Sequence, residues 1–187
     1  MALKNTIQFV TIASEGNTTD FGDLTAASIR FGACSSPTRG IFFRGNNGNG
    51  NTLSNVIEYI TIASAGNPAD FGDLTANVGR NFGFSSETRG ISAIGIGSDG
   101  GASNRIEYIT IASTGNATDF GDSTVQHPLG HGCASSTRGI SAGGGSSASN
   151  VIEYITIASV GNGTDFGDLG ATTQQKGACS SDHGGLQ

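Results

Sequence analysis

One block of sequence occurs four times, and that repetition limits the fold more than any other feature of the chain. Ile57-Glu58-Tyr59-Ile60-Thr61-Ile62-Ala63-Ser64 returns at Ile106–Ser113 and Ile152–Ser159, and in weaker form at Ile7–Ser14. Each copy leads into Gly-Asn and then Asp-Phe-Gly-Asp. These runs start at Asp20, Asp70, Asp119 and Asp165, so the spacings are 50, 49 and 46 residues. A period of this length marks a supersecondary unit that stacks on its neighbours to bury its apolar surface. The last Ser of the block and the first Asp are 6 residues apart in every copy, and the second Asp lies 11 before Cys34, Phe84, Cys133 and Cys179. Ser-Ser-x-Thr-Arg-Gly-Ile follows at Ser35–Ile41 and Ser85–Ile91, with a close match at Ala134–Ile140. From its Arg to the next Ile-Glu-Tyr the distance is 18, 17 and then 14 residues, so length varies in one loop per unit.

Four short strands fit each unit. Strand a is the small-residue segment around Ala33-Cys34-Ser35, and strand b starts at Gly40-Ile41, Gly90-Ile91 and Gly139-Ile140. Strand c is the Ile-Glu-Tyr-Ile-Thr-Ile-Ala block, and strand d is Phe-Gly-Asp-Leu-Thr. Side chains alternate along a strand, so Ile57 and Tyr59 face one way and Ile60 and Ile62 the other. A strand apolar on both faces is buried on both. The expectation is an all-β chain, a single domain over residues 1–187, built as a β-propeller of four repeats starting near 7, 57, 106 and 152. A parallel β-helix has shorter coils, and a sandwich would leave strand c one polar face. Glycine at 31 of 187 positions suits Gly-rich connections, and with only 3 prolines and no triplet period it is not collagen.

A net charge of −6, with 9 Lys and Arg against 15 Asp and Glu, gives no footprint for phosphate backbones, so no nucleic-acid partner is expected. No apolar stretch is long enough for a membrane span or the core of a signal peptide, so neither is expected. Three cysteines without a C-x-x-C make no disulfide framework.

The unit resembles a kelch repeat. The Arg-Gly-Ile strand running into Gly143-Gly144-Gly145 is similar to the kelch diglycine strand. Tyr on strand c, with Gly-Asn and then Phe21, Phe71, Phe120 or Phe166, resembles the kelch Tyr and Trp pair, although the chain has no Trp. The diglycine is broken at Arg44-Gly45 and Gly95-Ile96-Gly97. The whole Ile-Glu-Tyr to Asp-Phe-Gly-Asp run is similar to kelch-like repeats in virion proteins of tailed phages, marine cyanophages especially. That resemblance implies a non-enzymatic structural or adhesion component of a tail, fibre or decoration. It would be made in the host cytoplasm and located in the virion. Its partners would be other virion proteins, itself, or a host surface glycan or protein. A lectin-like, carbohydrate-binding propeller is the alternative. A galactose-oxidase type of enzyme fits least, because copper needs a mixed ligand set and Tyr59, Tyr108 and Tyr154 share one strand position.

The first unit starts at strand c and the last reaches strand a, so Ile7–Thr25 and Ala178–Ser181 would together form a closing blade shared by both termini. Asp182–Gln187 leave its strand b nearly absent. Either that blade keeps a defective strand b, or another chain or Met1–Asn5 fills the gap, and an oligomer or particle-bound subunit is expected.

Eight of the ten aspartates lie in the repeats, at Asp20, Asp23, Asp70, Asp73, Asp119, Asp122, Asp165 and Asp168. A calcium loop with Asn17 is one reading. The stronger one is structural: turn residues, or buried acids pairing with the repeat arginines Arg39, Arg89 and Arg138. His127, His131 and Cys133 lie close in sequence and could ligate zinc, but the expectation is no metal, no cofactor and no catalytic residue. Cys34, Cys133 and Cys179 share one repeat position with Phe84, which suits filling of an inner strand. In an up-and-down blade the b–c and d–a connections emerge on one face, and these are the divergent segments. Arg44, Asn47, Asn49, Arg80, Asp99, Arg105, His127 and His131 are therefore the candidate binding-face residues.

Overall fold

A computed structural model of the chain describes residues 4–47, 52–93, 95–98, 100–126, 128–145, 148–173, 177–178 and 180. Among them there is no helix, and seventeen strands form four antiparallel sheets. The first sheet is a pair, β1 (Thr6–Phe9) and β2 (Thr19–Asp23). After the short β3 (Ser28–Ile29) come β4 (Gly32–Ser35), β5 (Arg39–Phe43), β6 (Asn46–Asn47), β7 (Thr52–Thr61) and β8 (Ala69–Gly79). Next are β9 (Phe82–Ser85), β10 (Arg89–Ala93), β11 (Ile96–Gly97), β12 (Arg105–Thr110) and β13 (Thr118–Asp122). The last are β14 (His131–Ala134), β15 (Arg138–Ala142), β16 (Ser149–Thr156) and β17 (Thr164–Thr173).

Three units are consecutive four-stranded meanders: β4-β5-β7-β8, β9-β10-β12-β13 and β14-β15-β16-β17. They match strands a, b, c and d of the repeat, unit by unit. The first pair supplies c and d alone, and among the described residues no third strand joins it. Of the expected closing strand a, only Ala178 and Ser180 are described; Cys179 and residues 181–187 lie outside the described set, so the shared closing blade cannot be traced.

The repeated Phe-Gly has a local cause in the sheet. In each unit the register between strands c and d slips by one residue at the Phe, as when Ile57 faces Gly72 while Glu58 faces Asp70. This β-bulge accentuates the twist. The glycines there, Gly22, Gly72, Gly121 and Gly167, have φ of 153°, 142°, 140° and 144°, which L side chains rarely adopt.

The core lies between units rather than within one sheet. One cluster joins Ile41, Phe43, Ile57, Phe71 and Leu74 of the first complete unit to Ile109, Ile111 and Ala117 of the next. The second joins Phe84, Ile91, Ile106 and Phe120 to Ala134, Ile155 and Ile157. Strand c of the middle unit is therefore closed on both faces, as its two-sided apolar pattern predicts. Strands a lie side by side: Ser85 Oγ donates to Ser35 O at 2.7 Å, and Gly83 runs so close to Ala33 that a Cβ would meet its carbonyl.

Candidate interaction face

The repeat motifs are spent on building and joining units. In each a–b turn a serine hydroxyl, of Ser36, Ser86 or Ser135, accepts from the backbone N–H of the repeat Arg at 3.0–3.2 Å. This side-chain turn accounts for Ser-x-Thr-Arg. The guanidinium groups of Arg39, Arg89 and Arg138 lie 4.6, 4.7 and 4.6 Å over the rings of Tyr59, Tyr108 and Tyr154. Each Tyr in turn meets its Phe edge to face. Arg39 and Arg89 also donate to the carbonyls of Ile111 and Ile157 in the following unit.

This corrects the expected Asp–Arg pairing. The ion pairs among the described residues are Arg44–Glu58 and Arg105–Glu107, and neither involves an aspartate. Of the repeat aspartates, Asp73 is half-buried and the others are exposed. What the Asp-Phe-Gly-Asp run contributes is backbone. Phe21, Phe71 and Phe120 accept from the amides of Gly66, Gly115 and Gly161 at 2.7–2.8 Å, and Asp23, Asp73 and Asp122 N–H donate to Asn67, Asn116 and Asn162 Oδ1. The Gly-Asn turn is thus a clip onto the preceding unit.

Three buried carboxylates do similar work, and the sequence reading passed over them. Glu58 accepts from Thr25, and Glu107 from Thr75, through both backbone N–H and hydroxyl. Glu153 accepts from Ser123 Oγ, Thr124 N and Oγ1, and Ser141 Oγ. Their signal was present: a charged residue inside an otherwise apolar strand, recurring at the same place.

The b–c and d–a connections come together. β6 pairs with β3, and β11 with the end of β8. Here Arg30, Arg80 and Leu129 sit two residues before a strand a, with φ of 54°, 61° and 67°. Non-glycine residues rarely hold this conformation, and such strain gathers at sites where surrounding structure enforces it. The three are tied in series: Arg80 N donates to Arg30 O at 2.8 Å and Leu129 N to Arg80 O at 3.3 Å.

Clefts open around this row. One of about 430 Å³ is lined by Asn46, Asn77, Arg80 and Ser98, among others. A second of about 280 Å³ has Arg30, Arg80, Phe31, Leu129 and His131 on its walls. A third of about 500 Å³ lies between β14 and β17 and includes His131, Leu169 and Thr173. Neither Arg30 nor Arg80 has an aromatic stack or a carboxylate partner among the described residues, unlike Arg39, Arg44, Arg89, Arg105 and Arg138. Desolvation lowers the His131 pKa below its ordinary value of 6.5.

The expected binding-face residues divide. Arg80 and His131 line clefts. Arg44 does not: it is buried, pairs with Glu58 at 3.1 Å and bonds Thr25, so it belongs to the joint between units. Arg105 is more exposed but is turned to Thr75 at 2.8 Å and Glu107 at 3.7 Å. The backbone of Asn47 is in β6. Asn49, Asp99 and His127 lie outside the described residues, so the His127, His131 and Cys133 grouping cannot be assembled. Among the described residues no three His, Cys, Asp or Glu side chains gather as a metal site. Burial pushes the Cys34 thiol up to about 12, against lowering hydrogen bonds from Ser85 and Ile91, which suits packing rather than reactivity. No family model matches the chain, and no curated protein is significantly similar to it.

Proposed function

We propose that the four-stranded units are blades of a kelch-like β-propeller that acts as a non-enzymatic interaction scaffold, a structural or adhesion component of a phage virion. The observation that carries the scaffold reading is the division of labour. The repeated Arg, Tyr, Phe, Asn and Glu side chains join units, while the divergent connections surround clefts on one face. A binding protein held on a rigid frame is built this way. The virion assignment rests on the sequence resemblance, and other virion proteins or a host surface are the partners it implies. Antibody against the chain should label purified particles, and soluble protein should block their adsorption to host cells. Unlabelled particles and unaffected adsorption would overturn the assignment.

A carbohydrate-binding role is the second reading, favoured by Arg30 and Arg80 side by side on the wall of one cleft. Two guanidinium groups without acidic partners among the described residues suit a saccharide that carries carboxylate or sulfate. A glycan array should then show acidic glycans retained by the wild type and lost by Arg80→Ala. Retention of neutral glycans, or of none, would refute it.

A further inference from the structure

The stack of units ends in two faces that are the separate halves of its own internal joint. On one end is the outward side of the third complete unit, with Ile140, Ile152, Tyr154 and Phe166. Phe166 is 57% exposed, whereas Phe71 and Phe120 at the same repeat position are 2%. On the other end is the outward side of the β1–β2 pair, with Gln8, Val10 and Ile12. Ile12 is 97% exposed, whereas at its repeat position Ile111 and Ile157, each facing a complete unit, are 1%, and Ile62, facing only the two-stranded β1–β2 pair, is 46%. At both joints between complete units the Ile side covers the Phe side.

The backbone tells the same story. A Cβ on Gly22, Gly72 or Gly121 would strike the carbonyl of Gly66, Gly115 or Gly161 at 2.4–2.6 Å, so close approach requires glycine there. Gly167 keeps the same φ region, but among the described residues a Cβ there would meet nothing within 4 Å. Gly16 N–H and Asn17 Oδ1, which should clip onto a preceding Phe and Asp, have no partners among the described residues. The hydroxyl-to-carboxylate lock has also changed on both halves: Gln8 replaces the Glu of strand c, and Gly170 replaces Thr25, Thr75 and Thr124. A Glu facing Gly170 would be buried with the backbone N–H but without the hydroxyl donor, which is costly, whereas Gln8 carries no charge. Ser180 Oγ donates to Ala134 O at 2.6 Å, as Ser85 does to Ser35 O, so Ser180 sits beside the third unit as Ser85 sits beside the first.

We infer that the Phe166 face of one chain receives the Ile12 face of a second copy, head to tail, using the same joint found between units. In that joint Gly16 N–H donates to the partner's Phe166 carbonyl, and Asn17 Oδ1 accepts from the partner's Asp168 N–H. Because the two faces differ, the contact is heterologous and propagates into a ring or a filament. This does not depend on where the protein acts or on what its clefts bind.

The test is mass in solution by light scattering over a concentration series. Wild type should exceed the 18.8 kDa of one chain, increasingly with concentration. Phe166→Asp and Ile12→Asp, each at an exposed position and each checked for native circular dichroism, should weaken self-association by at least about tenfold. Mixed together, the two variants should form a species of two chains and no larger, because each retains the face the other lost. A wild type that stays at single-chain mass, whether its ends remain open or meet within the chain, overturns the inference. So does a variant that associates like wild type, or a mixture that forms no pair.

Discussion

Ile111 and Ile12 hold the same place in the repeat and meet opposite surroundings. Ile111 is sealed between two sheets, its carbonyl bonded to Arg39 of the unit before, while Ile12 stands in solvent. Phe120 and Phe166 repeat the contrast from the other side of the joint. The difference teaches that burial here belongs to the neighbouring unit and not to the motif. Each sheet carries two half-sockets, and stability comes from how many are filled. Repeat proteins behave in this way when interface terms dominate.

The largest expected break in that comparison is Phe120→Ala against Phe166→Ala. Emptying the inner joint should cost about 3–5 kcal/mol. The same change at the open end should stay within about 0.5 kcal/mol in dilute protein. Urea unfolding of both variants reads the difference directly. A smaller effect separates Glu153→Gln from Gln8→Glu. Glu153 takes four donated hydrogen bonds, so losing its charge should cost about 1.5–3 kcal/mol, whereas Gln8→Glu at an exposed position should be close to neutral.

Gly121→Ala and Gly167→Ala sharpen the contrast further. Both positions have unfavourable φ for alanine, so that penalty is shared. The excess for Gly121, about 1–3 kcal/mol of overpacking against Gly161, isolates the close approach between units. Equal losses at both glycines would mean that the joint contributes nothing to the requirement. The smallest expected effect is at His131. Its folded pKa lies below 6.5, so the unfolded chain takes up the proton first as pH falls. Stability should therefore decline below about pH 6.5 and level off under the folded value, and His131→Asn should flatten that step in urea midpoints.

The strand plan was legible because the repeat keeps its internal spacing fixed. Strands a to d could be placed from Cys34, Arg39, Tyr59 and Phe71 alone, and b–c and d–a connections do meet where β6 pairs with β3 and β11 with β8. The Arg–Tyr stack was not legible, because charge alone points Arg39 towards a repeat aspartate and gives no weight to a ring on the adjacent strand. Arg44 read as a loop residue because the Thr25 and Glu58 that enclose it are distant in sequence. The left-handed turns at Arg30, Arg80 and Leu129 carry none of the Gly or Asn that usually announces that conformation. Nothing in four similar copies distinguishes the covered faces from the open ones. That depends on which sheet stands beside which, and the correlated change at Gln8 and Gly170 acquires meaning only after the Glu–Thr lock is seen.

Amide hydrogen exchange at the four Gly-Asn turns tests the shared joint most directly. Gly66, Gly115 and Gly161 donate to Phe carbonyls of the preceding unit at 2.7–2.8 Å, so their amides should be protected at every protein concentration. Gly16 should exchange freely in dilute protein, gain protection as concentration rises, and lose that gain in Phe166→Asp. Protection of Gly16 in dilute single chains, or exchange at Gly115 as fast as at Gly16, would contradict the account.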